Sequence, residues 1–217
     1  MQDVYEALKT NPLFNGITAD DFERVFCCLS ARAVRYEKGE IIVLAGDHVT
    51  FVGVILSGEI KIIKEDKRGY ISMLTELSEI EMFGEILTCA DIKQYPVTIE
   101  AKRDTEILLI ENEKIITTCS TSCFFHKMLI ENMMRHIARK NFAQNRKIEI
   151  LSKRTIREKL MCFFDLHREG AKCFTVPYNR EGMAHYLCVD RSAMSNELCK
   201  MRKEGLLTFR KNRFTLL

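Results

Sequence analysis

The sequence predicts an α+β chain built from a β-roll, a long helix and a C-terminal helix-turn-helix carrying a hairpin wing. Three observations carry this expectation. Short β-type runs separated by glycines fill the first half, the pattern turns helical after Ile110, and a capped helix pair with a basic-tipped hairpin follows Asn179. The runs are Arg32–Tyr36, Glu40–Ala45, Phe51–Leu56, Glu59–Lys64, Ile71–Leu77, Val97–Ala101 and Glu106–Ile110. Gly39, Gly46, Gly58, Gly69 and Gly84 fall between or beside them, where turns need positive φ or close backbone approach. Many short strands at such spacing indicate a roll, barrel or sandwich. Before them, Val4, Leu8, Phe22, Val25, Phe26 and Leu29 at helical spacing read as one or two short helices packed on the roll.

The long helix is read from about Ser122 to Leu151, a stretch without proline or glycine. Within it Ile130, Met134, Ile137, Asn141, Gln144, Ile148 and Leu151 alternate spacings of four and three, a heptad seam along one face. A narrow seam on a long helix pairs with its own copy, so these residues are the expected dimer interface of a homodimer. A helix lying on the roll as ordinary core would instead show a broader apolar face. Asn141 and Gln144 interrupt the seam to fix register or reach a ligand. Ser152-Lys153-Arg154 is the expected hinge before a further helical pattern ending near Gly170. The domains are therefore read as 1–117, 118–151 and 152–217.

Hydrophobic residues make up 47% and charged residues 29% of the 217 positions, with three prolines and no tryptophan, the balance of a soluble globular protein. The apolar runs are strand-sized and Met1–Thr10 carries Asp3, Glu6 and Lys9, so neither a membrane span nor a signal peptide is expected. Nine scattered cysteines lack the spacing of a disulfide framework and imply reduced thiols in the cytoplasm. Residues 151–217 hold 14 Lys+Arg against 7 Asp+Glu, whereas residues 1–150 hold 19 against 23. The basic character therefore sits in the last third, where phosphates would be met. A solvated charged face is the plainer explanation of such a run, and the motif that follows decides against it.

From Asn179 to Leu207 the sequence spells two capped helices. Asn179 caps the first, Ala184 lets the helices approach, Cys188-Val189 makes the turn, and Asp190 caps the second. Met194, Leu198 and Met201 form its inner stripe, while Ser192, Ser195, Asn196, Cys199 and Lys203 occupy the other face. Gly205 ends the helix, and Leu206–Arg210 with Phe214–Leu217 form the hairpin across Lys211-Asn212-Arg213. Ser192, Ser195 and Asn196 are the expected base readers, and Asn179, Arg180, Arg191, Lys200, Lys211 and Arg213 complete the candidate DNA-binding set.

With these residues in place the whole chain resembles the Crp/Fnr family of transcription regulators. The likeness runs through Lys38-Gly39-Glu40, Val54-Ile55-Leu56-Ser57-Gly58-Glu59, Phe83-Gly84-Glu85, Leu187-Cys188-Val189-Asp190-Arg191-Ser192 and Lys203-Glu204-Gly205-Leu206-Leu207. It implies a cyclic-nucleotide-binding-like β-roll of jelly-roll type, a dimerisation helix and a winged helix-turn-helix. It further implies a homodimer on double-stranded DNA at a palindromic operator, with RNA polymerase as a candidate partner. In members that bind cyclic AMP, Glu85 would meet the ribose, and an Arg-Ser or Arg-Thr pair some ten residues later would hold the phosphate. Tyr95-Pro96 stands there instead, so the neutralising cation is missing. The expected effector is a small organic molecule other than cyclic AMP, as in similar regulators that sense halogenated phenols. Gly84, Glu85, Tyr95 and Pro96, with Gln144 and Asn145 from the long helix, are the candidate effector residues.

Other sensors fit less well. Iron–sulfur members carry a clustered N-terminal cysteine set, and Cys27-Cys28 with solitary Cys89 do not supply it. Cys119 and Cys123, one helical turn apart, could oxidise or bind metal, but further ligands are missing nearby. His48 stands alone in the roll, and His126 and His136 read as structural, so no metal site is expected. No paired carboxylates, nucleophile motif or phosphate loop points to an enzyme, and no catalytic residue is assigned. A nucleotide-binding module serving another protein would lack the DNA-binding motif.

Overall fold

The computed structural model describes residues 2–66, 68–90, 92, 94–117 and 124–217, which fall into two compact units, Met1–Arg139 and Lys140–Leu217. The first opens with helices α1 (Gln2–Leu8) and α2 (Ala19–Cys28), joined through a 3₁₀ turn at Pro12–Phe14. Eight strands follow: β1 (Arg32–Tyr36), β2 (Ile41–Val43), β3 (Phe51–Ser57), β4 (Glu59–Glu65), β5 (Ile71–Ser78), β6 (Met82–Phe83), β7 (Thr98–Ala101) and β8 (Thr105–Glu111). Two short helices, α3 (Glu85–Cys89) and α4 (Asn112–Ile116), flank the last two strands. All five glycines singled out by their spacing have positive φ.

The strands form two antiparallel four-stranded sheets, ordered β1-β8-β3-β6 and β2-β7-β4-β5. Between them lies a core of Val43, Val49, Ile55, Ile60, Phe83, Tyr95, Ile99, Ile107 and Leu109. The inner strands β3 and β8 of the first sheet are buried on both sides. On β8, Ile107 and Leu109 face that core while Leu108 and Ile110 face a second one, shared with Leu8, Leu13, Phe14, Phe22 and Leu29 of the N-terminal segment. This explains why β8 reads as a continuous apolar run rather than an alternating one. Gly53 on β3 is required by close approach, since a Cβ there would lie 2.2 Å from the Phe83 ring on β6.

Helix α5 (Phe124–Ser152) runs through the boundary between the units, with its first residues beginning just after 118–123, which lie outside the described set. Its N-terminal half packs one face on the N-terminal core. Leu129 and Met133, neither of them in the seam, are buried in the N-terminal core, and Ile137 packs partly against it. Met134 and Ile148 of the seam are 67% and 62% exposed, and Asn141 and Gln144 are exposed too.

The second unit continues with α6 (Ile156–Arg168), β9 (Cys173–Thr175), α7 (Arg180–Leu187), α8 (Arg191–Lys203), β10 (Leu207–Arg210) and β11 (Arg213–Leu216). Helix α6 starts on a capping box: Thr155 accepts from the Glu158 N–H and the Glu158 carboxylate accepts from the Thr155 N–H. Strand β9 makes the expected hairpin into a three-stranded sheet, ordered β10-β11-β9. The core joins Ile150, Leu160, Phe163, Phe164, Met183, Leu187, Met194, Leu198, Met201 and Phe214. Among the described residues no helix is long and apolar enough to cross a membrane.

Candidate nucleic-acid interface and effector region

The helix pair is set by local chemistry. The Asn179 side-chain oxygen accepts from the Gly182 N–H at 2.7 Å, capping α7. Cys188 closes that helix in the left-handed region at φ 51°, and Val189 N–H donates to Ala184 at 3.1 Å. Asp190 then caps α8, accepting from the Ala193 N–H at 2.8 Å and the Ser192 hydroxyl at 2.5 Å. These two hydrogen bonds, the serine first, hold the Asp190 carboxyl below its ordinary range.

The outer face of α8 carries the expected base readers. Ser192 and Asn196 are exposed and Ser195 is partly so, whereas Met194, Leu198 and Met201 are buried, as their spacing requires. The Ser195 hydroxyl donates to the Arg191 carbonyl at 2.8 Å, and that of Ser192 to Asp190, so both hydroxyl protons are committed and the oxygens remain as acceptors. Asn196 makes no side-chain hydrogen bond among the described residues, which leaves its donor and acceptor together for a ligand. Arg191 and Lys200 are exposed, with Lys200 4.0 Å from Glu197.

The wing brings the remaining cations in. Its loop is Lys211-Asn212 between the paired Arg210 and Arg213, with Lys211 at φ 54°. Asn212 ties this tip to the end of β9, donating to the Val176 carbonyl at 3.1 Å and accepting from its N–H at 3.0 Å. A cavity of about 400 Å³ lies where the wing tip meets the start of α7, lined by Pro177, Tyr178, Asn179, Arg180, Lys211 and Asn212. Two expected phosphate contacts are occupied in ways the sequence does not reveal. The Arg180 guanidinium lies 4.7 Å from the Phe209 ring centre and 5.0 Å from that of Phe214, and burial lowers its pKa. Arg213 Nε points at the Cys173 sulfur at 3.1 Å, a contact that lowers the thiol's pKa.

Arg157 on α6 is a residue that sequence reasoning misses and that holds α8 in place. Its Nε donates to Glu197 at 2.6 Å, and its two terminal nitrogens donate to Glu204 at 2.7 and 2.9 Å, which ties α6 to the middle of α8 and, bidentately, to its C-cap. Arg202 stacks on Phe209 at 5.0 Å, so that one wing ring lies against guanidinium groups from α7 and α8.

In the N-terminal unit, Gly84 adopts φ 87° ahead of α3, and a Cβ there would lie 2.6 Å from the Tyr95 hydroxyl. Tyr95 is 3% exposed, its ring inside the roll core and its backbone held by Asp47 and Gly46 at 3.0 and 2.8 Å. Burial, then the Glu85 carboxylate, raises the pKa of its hydroxyl, which has no hydrogen-bond partner among the described residues. Glu85 is itself buried, with His136 Nε2 3.6 Å from its Oε1, too far for a hydrogen bond. Pro96 is exposed. Gln144 and Asn145 are exposed on α5 in the second unit, where Asn145 donates to Asn141 at 3.0 Å. Cys119 and Cys123 lie outside the described residues, and among those described no group of three or more His, Cys, Asp or Glu is placed to hold a metal.

Comparison with known proteins converges on one architecture. Residues 33–122 match the family model of the cyclic nucleotide-binding domain. The catabolite activator protein of Thermus thermophilus is 20% identical, with 95% of this chain and 93% of that one covered at a TM-score of 0.55. The c-di-GMP responsive global regulator CLP of Xanthomonas campestris is 18% identical over 92% and 99% of the two chains, at 0.54. DNR of Pseudomonas aeruginosa is 17% identical over 98% and 92%, at 0.51. No curated protein matches in sequence. Residues 33–122 are thus a cyclic nucleotide-binding-type domain, and the chain as a whole has the fold of Crp/Fnr-type transcription regulators.

Proposed function

We propose that this chain is a homodimeric, sequence-specific DNA-binding transcription regulator of the cytoplasm, governed by a small organic effector that is not cyclic AMP. Residues 1–117 sense the effector, 118–151 dimerise and 152–217 bind DNA. The observation that carries this reading is the outer face of α8: exposed Ser192 and Asn196 beside Ser195, flanked by Arg191 and Lys200 and by a wing tipped with Lys211. Side chains on the first turns of such a helix reach base edges, while the flanking cations and the wing meet phosphates. A basic wing that only solvated the surface would not need a capped helix pair presenting an unpaired amide beside it.

Homodimerisation is supported by the exposure of Met134, Asn141, Gln144 and Ile148 along one seam. Two copies related by a twofold axis would set their recognition helices about 34 Å apart and read a palindrome. RNA polymerase is the natural further partner once DNA is bound. The effector reading rests on Tyr95: an apolar ring in the roll core stands where a cyclic phosphate would need a guanidinium. Gly84, Glu85, Tyr95 and Pro96 form the effector region on this reading, and the activity is regulatory rather than catalytic.

Selection from random duplex DNA, followed by mobility shifts on the enriched sequences, tests the function directly. The expected product is a palindrome with half-sites one helical turn apart; equal binding to every duplex would overturn the reading. Calorimetry should show no tight cyclic AMP binding, and a sub-micromolar cyclic AMP site required for operator binding would overturn the effector assignment.

A further inference from the structure

The N-terminal unit holds a cavity outside the roll core, between the turn after α1 and one face of α5. We propose that this cavity binds a small multivalent anion, a phosphorylated or polycarboxylate metabolite. It offers about 400 Å³, the lower part of the range for small-molecule sites. One wall is Asn132, Arg135, His136 and Arg139, which recur at i, i+3, i+4 and i+7 and so share one side of the helix. The other wall runs from Lys9 through Asn11.

The frame of this cavity is built from buried amides. Asn11 is fully buried, donating to the Ile80 carbonyl at 2.6 Å and accepting from the Leu13 N–H at 2.9 Å. Asn132, 4% exposed, donates to the carbonyls of Leu13 and Asn15 at 3.0 and 2.8 Å. These bonds pin the 3₁₀ turn to α5 and use up the Asn132 amide protons, so the charged donors lining the cavity are Lys9, Arg135 and Arg139, beside the neutral side chains of Thr10 and Asn15. Among the described residues no Asp or Glu lines the cavity.

The cations are available for exchange. Lys9 pairs with Glu6, and Arg135 lies 3.5 Å from Glu131, both pairs largely exposed and of the kind worth little. Arg139 has no carboxylate within ion-pair distance among the described residues. An incoming anion would trade two weak surface pairs for charge-assisted hydrogen bonds converging from three side chains, which favours a ligand with more than one negative group. Homodimerisation would leave this site open. At about 100° per residue, Ile130, Met134 and Ile137 point roughly opposite to the side shared by Asn132, Arg135 and Arg139.

The inference does not depend on the DNA-binding reading, and the test keeps them apart. Pyrophosphate and citrate are titrated into the full chain by calorimetry at fixed ionic strength, with chloride as the control. Saturable binding of one anion per chain is expected, and the tighter probe names the phosphorylated or the carboxylate class. Arg139→Gln should weaken binding by about tenfold, the loss of one charge-assisted bond, with Arg135→Gln acting in the same direction. Thermal melts by circular dichroism should be unchanged for both variants, whose side chains are exposed. Absence of saturable binding above the chloride control, or unchanged affinity in both variants, would overturn the proposal. So would a loss on Lys211→Ala, which would move the anion to the wing.

Discussion

In the C-terminal unit, Asp190, Ser192, Ser195 and Asn179 sit at the surface with their hydrogen bonds closed by near neighbours in the chain. The N-terminal unit, beside the buried and bonded Asn11 and Asn132, holds the buried side-chain atoms without a hydrogen-bond partner among the described residues: Tyr95 Oη, Asn112 Oδ1 and His136 Nε2. An unmade bond to a buried polar group costs free energy, whereas a local cap to an exposed one contributes it. Under the proposed function, the contrast fits two kinds of part. A reader of DNA gains from a surface preorganised before the target arrives, since less is then lost on binding. A sensor gains from groups whose partners are incomplete until a ligand completes them, because only differential contacts shift an equilibrium.

The comparison is broken most severely at α5, which runs through both units. Charged residues at Ile137 and Ile148 should give monomers in sedimentation, and operator affinity should fall by about 10²-fold or more as two half-site contacts cease to act together. A dimer that survives both changes would place the interface elsewhere. Next in size is the reader surface itself. Asn196→Ala should lose discrimination of about 1–3 kcal/mol at one or two operator positions, adenine by preference. Lys211→Ala should instead weaken all sequences alike and lower the salt slope by about 1. Equal losses on every duplex for Asn196→Ala would remove it from the base readers.

Much of this contrast was legible in residue types. Asn179, Cys188, Asp190 and Gly205 declare the helix pair because capping and left-handed turns are local, and the structure places each as expected. The long strands were readable for the same reason. What escaped was short or distant. Strand β6 has two residues and β9 three, too few for any period to show. Helix α3 hid behind Gly84, which reads as a turn but also begins a helix. The capping box at Thr155 and Glu158 was in plain view, an S/T-x-x-E signature that would have fixed the start of α6. Arg157 was not, because its partners lie 40 and 47 residues away and any exposed arginine looks alike in sequence. Tyr95 was half legible: its identity excluded a phosphate cation, but the burial of its ring beside Gly84 needed the fold.

Tyr95 supplies the sharper test of the N-terminal unit as a proposed sensor. Its hydroxyl is buried and unpartnered, so Tyr95→Phe removes a desolvated group without opening a cavity and should be neutral or stabilise the effector-free chain by about 1 kcal/mol in urea denaturation. A clear destabilisation would mean that the hydroxyl already has a partner, and the contrast between the units would lose its main support. The same variant should blunt the response to the effector once one is found.

The smallest effect tests the C-terminal unit, the proposed reader, by pH. Asp190, Glu158 and Glu204, all in the C-terminal unit, have carboxyls held below their ordinary range. The main cause is the Ser192 hydroxyl for Asp190, the Thr155 backbone for Glu158 and Arg157 for Glu204. Because their folded pKa lies below the unfolded one, the unfolded chain binds more protons over that interval and stability rises with pH. The contribution is therefore complete above the ordinary carboxylate range and is lost as pH falls through the depressed folded values. Hydrogen exchange of α7 and α8 amides, followed from pH 6 down to about 3 to bracket the carboxylate range, should show protection falling at the acid end. Asp190→Asn keeps a capping oxygen, so protection at neutral pH should hardly change, but the acid loss should be shallower because the carboxylate that titrated is gone. An acid limb identical to that of the parent would show that the cap does not couple to the stability of the helix pair, and that the surface hydrogen bonds of the reader close without stiffening it.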